Sequence, residues 1–328
     1  MAHAQTTQNS TWELREGHWQ QLPKAPTTQA VARDPELDRI EKMLNDGQWK
    51  AARKAALIWE KANKGSPLRD RGLYLLAQCD YQADERIKAF YQLDELLDYY
   101  KDSRYFYPSL EMQYKIADEY LSGYKDTWMG MRVLSREGEA VEMLFRIQQT
   151  SPGSPLAEKA LLRTADYYYQ DLQYDLAADA YGMYCKSYPR SPIVPKAKLR
   201  QAFSSLAQFR GTRFDPTPLA DARTQLLDIQ QQYPDLASAE NVQMVIEKID
   251  ATFAAKLLER ADFYRRTHAD DAAVYTYRVL IETYPLSSEA RTAKSWLDRM
   301  PATALATKPP PEGVGYMPAN TVGPVHVR

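Results

Sequence analysis

The sequence predicts an all-α solenoid of helical hairpins of the tetratricopeptide (TPR) type: about six units, wound as a right-handed superhelix between disordered termini. Three observations predict it. Apolar residues between Pro35 and Met300 recur at three- and four-residue spacing, with little strand-type alternation. The chain repeats itself at long period. Ala stands at regular second-helix positions, and Pro commonly follows twelve residues later.

The repeat is visible without gaps. Ser66–Ser103 aligns with Ser154–Ser191, matching Leu73 to Leu161, Ala77 to Ala165, Ala89 to Ala177 and Tyr100 to Tyr188. A second alignment sets Ala165, Asp166, Tyr168, Ala177, Tyr181, Tyr188 and Pro189 on Ala261, Asp262, Tyr264, Ala273, Tyr277, Tyr284 and Pro285. In TPR terms Leu161 takes the aromatic slot, Ala165 the small slot and Tyr168 the Tyr slot. Ala177, Tyr181 and Pro189 follow in the second helix. Small residues belong where two helices cross closely, and Tyr fills the space between hairpins. Pro189 ends a helix, and Ser191-Pro192 reads as the cap and first residue of the next.

Six units are placed by Ala52, Ala89, Ala140, Ala177, Ala222 and Ala273, with Lys64, Lys101, Pro152, Pro189, Pro234 and Pro285 twelve residues on. Their spacings of 37, 51, 37, 45 and 51 exceed the usual repeat, about 34 residues. Two inserts between helices carry extra length, Gly123–Gly138 and Arg210–Pro218. They read equally as partner-binding loops and as tolerated surface loops.

The organisation follows. Residues 1–34 form a flexible N-terminal segment in which Trp12-Glu13-Leu14 and His18-Trp19 suggest a short extended piece. Residues 35–153 hold N-terminal TPR-like units and 154–300 the C-terminal units. The tail 301–328, with Pro301, Pro309, Pro310, Pro311, Pro318 and Pro324, is expected to be disordered. Ala2-His3-Ala4 before Gln5 has the form of the small-residue box that ends a secretory leader, and also arises by coincidence in a polar N-terminus. No Cys near the N-terminus offers a lipid-anchor site.

Composition removes several function classes. With 42 Lys+Arg against 43 Asp+Glu, no basic field argues for nucleic acid. No apolar run approaches the ~20 residues of a transmembrane helix. The 13 Gly include no phosphate-cradling or dinucleotide motif, so no cofactor is expected. His3, His18, His268 and His326 lack metal-ligand spacing, and no nucleophile–His–acid order appears, so neither a metal site nor catalytic residues are expected. Cys79 and Cys185, on amphipathic helices of different units, read as inert thiols.

A binding face follows from helical spacing. In a TPR array the first helices line the concave side. The inner residues there are Arg71, Tyr74, Gln78 and Tyr81, then Tyr114 and Asp118, then Lys159, Leu162, Asp166 and Tyr169, and finally Lys196 and Phe203. Tyr74, Tyr81, Tyr114 and Tyr169 would form a ladder with interleaved charges, suited to an extended peptide. The competing reading is that these rings pack adjacent hairpins. Arg210, Arg213, Phe214 and Asp215 form the candidate partner loop.

Several segments resemble the BamD family of outer-membrane assembly lipoproteins. They are Ala165-Asp166-Tyr167-Tyr168, Tyr188-Pro189-Arg190-Ser191, Phe209-Arg210-Gly211 with Phe214-Asp215-Pro216-Thr217-Pro218, and Gln232-Tyr233-Pro234. Ala261-Asp262-Phe263-Tyr264 and Glu282-Thr283-Tyr284-Pro285 complete the set. The resemblance covers 154–300; residues 35–153 match only as TPR-like. It implies a non-enzymatic TPR scaffold of the β-barrel assembly machinery at the periplasmic face of the outer membrane. Its implied partners are the periplasmic domains of the barrel insertase and unfolded outer-membrane proteins. The chain departs from the family by lacking the lipobox Cys and by having six units rather than five. Two alternatives stay open. One is a TPR scaffold of another envelope complex, of the cell-division or Tol–Pal coordinator type. The other is an accessory module of an enzyme encoded beside it. Without a leader, the protein would be cytoplasmic.

Overall fold

The computed structural model describes residues 12–15, 18–21, 33–129, 131–300 and 305. The expectations of a cleavage box and of disordered ends otherwise fall outside these residues. The extended N-terminal piece is a hairpin of β1 (Trp12–Arg15) and β2 (His18–Gln21), paired antiparallel with Trp12 opposite Gln21.

The chain divides into two compact units, residues 1–167 and 168–328. The first contains α1 (Pro35–Asn45), α2 (Trp49–Ala62), α3 (Arg69–Gln82), α4 (Arg86–Tyr99), α5 (Phe106–Leu121), β3 (Asp126–Trp128), β4 (Met131–Leu134), α6 (Glu137–Thr150) and most of α7 (Pro155–Gln170). The second continues with α8 (Tyr174–Ser187), α9 (Val194–Ala207), α10 (Thr217–Gln232), α11 (Pro234–Ala239), α12 (Val242–Arg266), α13 (Asp270–Thr283) and α14 (Ser288–Leu297).

The repeat register is met at atomic level. All six second-helix Ala residues are fully buried, as are Ala77, Ala117, Ala165, Ala202 and Ala261 in the first helices. After each second helix the capping residue leaves the helical region in the same way. Asn63, Tyr100, Ser151, Tyr188, Tyr233 and Tyr284 have φ between −122 and −137° and ψ between 35 and 64°. Four of them precede Pro, whose ring disfavours the α region for its predecessor.

Five of the six first helices end differently, in a left-handed residue; α9 instead ends at Gln208 with φ of −72°. Gly47, Asp84, Gly123, Leu172 and His268 have φ of 76, 68, 95, 61 and 58°. The next N–H then bonds back across the turn: Gln48 to Met43, Glu85 to Asp80, Tyr124 to Glu119, Gln173 to Tyr168 and Ala269 to Tyr264, at 2.8–2.9 Å. This is the Schellman arrangement, which satisfies carbonyls that a helix end would orphan.

Helix starts are set by short polar side chains. Asp34 accepts from the N–H groups of Glu36 (2.8 Å) and Leu37 (3.3 Å) ahead of Pro35. Ser154 caps α7 through the Ala157 N–H, and Ser287 caps α14 through Ala290, both at 3.0 Å. Ser191-Pro192 departs from expectation. The Ser191 hydroxyl accepts from Ile193, two residues on, and α9 begins only at Val194. Ser66 and Ser103 make the same tight turn before α3 and α5.

Two further departures concern the long spacings. The insert 123–138 contains a β-hairpin rather than a bare loop, with Trp128 opposite Met131 and a bulge between Asp126 and Thr127. The last long spacing is filled by α11 and by the 25-residue helix α12. The N-terminal part of α12 packs Val242, Ile246 and Ile249 on Leu219, Leu226 and Ile229 of α10. Farther along, Ala254 and Ala261 pack with Ala273, Tyr277 and Leu280 of α13 and Ala293 of α14. In the first unit Trp59 joins Leu37, Ile40, Leu75, Leu76 and Cys79 in one cluster. Burial pushes the Cys79 thiol up to about 12, so thiolate chemistry is suppressed there.

Candidate protein-binding surfaces

In the first unit α1, α3 and α5 flank a groove of about 570 Å³. Tyr74, Gln78 and Tyr81 line it from α3, Glu111 and Lys115 from α5, and Leu44 and Trp49 from the first hairpin. The helical period brings Tyr74, Gln78 and Tyr81 to one face. The Tyr74 ring stacks on Tyr105 with centroids 4.9 Å apart, and the Gln78 side chain acts against the burial that raises the Tyr74 pKa. Burial raises the pKa of both Tyr74 and Glu111. Tyr81 donates to the Glu119 carboxylate, while the Lys115 ammonium sits 4.6 Å from its ring centroid. The groove therefore offers aromatic faces, an amide and charges of both signs, the equipment for holding a peptide main chain and its apolar side chains.

The remaining spacing-derived residues are distributed differently. Arg71 is buried and bonded to Asp38 (2.7 Å) and Glu41 (2.5 Å), tying α3 to α1. Tyr114 is half-buried, in electrostatic reach of Asp118, Arg163 and Asp166. Asp118 itself pairs with Arg163 at 2.5 Å. Lys159 is exposed and acts on Glu111, lowering the pKa that burial raises; Leu162 is half-buried.

In the second unit Tyr169 is half-buried. Its ring meets Tyr174 and Tyr181 edge-on, at 5.7 and 6.5 Å, with the Arg200 guanidinium 4.8 Å away. Phe203 packs against the α9–α10–α12 core, and Lys196 is exposed. Of the four ladder rings, Tyr74 and Tyr81 thus share one groove. Trp49, Tyr105, Lys115 and Glu119 were not reached by the slot reading. Lys115 and Glu119 continue the i+4 series from Glu111, a signal that was present in α5.

The loop before α10 is held rather than loose. Lys256 of α12 donates to the Phe214 carbonyl at 2.8 Å and to that of Thr212. Glu259 accepts from the Thr212 hydroxyl at 2.9 Å and pairs with Arg213 at 3.2 Å. Asp215 accepts from the Thr217 N–H and hydroxyl, which lowers its pKa and fixes the entry into α10. Arg210 is exposed, and Phe214 stands 57% exposed at the tip.

No helix among the described residues is long and apolar enough to cross a membrane. Among them, no group of three His, Cys, Asp or Glu could hold a metal ion.

Among curated proteins, no similar sequence is found. Solved structures similar to the chain include the C-terminal part of a TPR repeat-containing protein from Cytophaga hutchinsonii. It is 12% identical with a TM-score of 0.38, over 80% of this chain and 88% of that one. Another is PilW, a widely conserved type IV pilus biogenesis factor. It is 16% identical with a TM-score of 0.29, over 79% and 96%. The family model of YfiO, described as an outer membrane lipoprotein, matches residues 134–301, just over half of the chain. That span takes in the Tyr-Pro closures, the pinned loop and helices α8 to α14 of the second unit, and it starts upstream of the residues that carried the resemblance. The chain belongs to the YfiO family of outer membrane lipoproteins, the BamD family whose marks its C-terminal repeats bear.

Proposed function

We propose that the protein is a non-catalytic scaffold at the periplasmic face of the outer membrane, serving the assembly of β-barrel proteins. Family membership over residues 134–301 is the observation that carries this reading. The second unit supplies the contact with the barrel insertase, through the loop around Arg210, Arg213, Phe214 and Asp215. That loop is fixed to α12 by Lys256 and Glu259, so docking costs little ordering entropy. The first unit receives unfolded barrel polypeptides in the groove of Tyr74, Gln78 and Tyr81, with Tyr114, Asp118, Lys159, Leu162 and Asp166 farther along the first helices.

The test is depletion of the protein, followed by quantification of β-barrel proteins in the outer membrane. Their levels are expected to fall, and unchanged levels overturn the proposal. Copurification of the full chain with the insertase is the companion measurement. Phe214→Ala is expected to weaken it without unfolding the second unit, because the ring is largely exposed.

A further inference from the structure

The groove of the first unit is lined from α3 by Tyr74 and Tyr81 and from α5 by Glu111 and Lys115. At its Tyr81 end each charge has a partner. The Tyr81 hydroxyl donates to Glu119. Arg86 donates to the same carboxylate at 2.9 Å, with its guanidinium 4.2 Å from the Tyr81 centroid. Lys115 lies 4.6 Å from that centroid. A Tyr ring and a carboxylate thus hold cations between them, an ion pair and a ring quadrupole acting together. Two helical turns back the same two residue types recur. Tyr74 precedes Tyr81 by seven residues, and Glu111 precedes Glu119 by eight. Glu111 is half-buried and in electrostatic reach of Tyr74. Among the described residues no hydrogen bond or ion pair reaches its carboxylate. The neighbouring cations are engaged elsewhere: Arg71 with Asp38 and Glu41, Arg163 with Asp118, and Arg104 4.7 Å from the Tyr105 ring centroid. Lys159 acts on Glu111 only across space and is itself exposed.

We infer that the groove selects polypeptide segments carrying a lysine or arginine, whose cation is held by Glu111 beside the Tyr74 ring. The inference rests on reading the groove as a receptor for unfolded chains, and it names the residue that chooses among them. A carboxylate that folding has partly stripped of water and left unpaired gains more from an arriving cation than one in bulk solvent does. The arrangement at Tyr81, Glu119 and Arg86 shows what the completed site looks like, with a cation from this chain in place of the ligand's. The other lining groups discriminate little. Tyr74, Tyr81 and Trp49 offer area to any apolar side chain, and Gln78 offers an amide to any main chain. Specificity therefore falls to the one group whose charge is unmet, which rewards a basic residue and rejects an acidic one.

The test uses the full-length protein and three labelled peptides of alternating valine and threonine, identical except for a central lysine, methionine or glutamate. In fluorescence anisotropy the lysine peptide is expected to bind about tenfold more tightly than the methionine peptide, and the glutamate peptide most weakly. Glu111→Gln should erase the difference between the lysine and methionine peptides and leave the affinity of the methionine peptide as it was. That variant removes a charge which burial disfavours, so it keeps its fold, and circular dichroism checks this. Glu142→Gln, at an exposed acid of the same unit, should leave the preference in place. Equal affinities of the lysine and methionine peptides for the parent protein overturn the inference, as does a preference that survives Glu111→Gln. An equal loss of preference in both variants overturns it too, by assigning the effect to the general field of the protein. If peptides that bind equally still slow hydrogen exchange in α3 and α5, the reading of the groove survives alone; if no peptide binds or slows exchange there, both fail.

Discussion

A Cβ built on Gly72 would fall 2.2 Å from Cζ3 of Trp59. The indole has no room to retreat. Trp59 is 2% exposed, and its Nε1 donates at 2.8 Å to Asp34, the residue that caps α1. Two effects oppose each other in Gly72→Ala. Helix propensity favours Ala by ~1 kcal/mol, while overpacking against a fixed ring costs ~1–3 kcal/mol. The clash is well inside contact distance, so the steric effect wins and the variant is expected to lower the denaturant midpoint. In a Trp59→Leu background the same change should become neutral or stabilising; an equal loss in both backgrounds would contradict the contact.

Leu172 offers the opposite case. It is 69% exposed and holds φ of 61° where the other turns use Gly or a polar residue. A left-handed backbone costs an L-residue ~1–2 kcal/mol, and the added freedom of Gly in the unfolded chain costs ~0.5–1 kcal/mol. Leu172→Gly is therefore expected to stabilise by ~0.5–1 kcal/mol and to slow exchange of the amides in the turn. Leu172→Ala keeps the strained geometry and should show no such gain.

Tyr169→Ala is expected to destabilise the second unit by ~1–3 kcal/mol, because it removes two edge-on ring contacts and the cation–π contact with Arg200. Spacing alone leaves this ring between a ligand ladder, where its loss would spare stability, and packing of adjacent hairpins. Hydrogen exchange in α8 and α9 separates the two: faster exchange supports packing, and unchanged exchange with weaker peptide binding supports the ligand role.

Glu111 gives a pH dependence whose sign is fixed by burial. Its pKa is raised above the ordinary 4.5, so the folded protein holds that proton more tightly than the unfolded chain. The resulting stabilisation is full below the unfolded value and is lost as pH rises through the folded one. Glu111→Gln should match the parent in acid and be more stable at neutral pH. Melting curves that stay parallel from pH 4 to 7 would count against it.

The fold was legible where one residue answers one steric demand. The buried Ala series and the Tyr-Pro closures each follow from a single contact or dihedral, so a single residue type marks them. The binding surface was legible only in part. Helical spacing finds a face, but what occupies that face depends on neighbouring helices. Arg71 met acids on α1, and Phe203 met the core around α10 and α12. The β-hairpin escaped because its strands are three and four residues long, too short for alternation to register. The extension of α12 escaped because it continues a helical period with no capping signal between the part that packs on α10 and the part that packs on α13.

Gly123 closes α5 with the same backward hydrogen bond as the turns that carry no insert, and only afterwards does the chain depart into β3 and β4. Helix termination is thus complete before the inserted segment begins. Length gained there leaves the preceding helix phased as it was, and α6 still buries Ala140 where its counterparts bury theirs. The site is a splice point: whole segments can be exchanged at it, and recognition can diversify without renegotiating the frame that displays it.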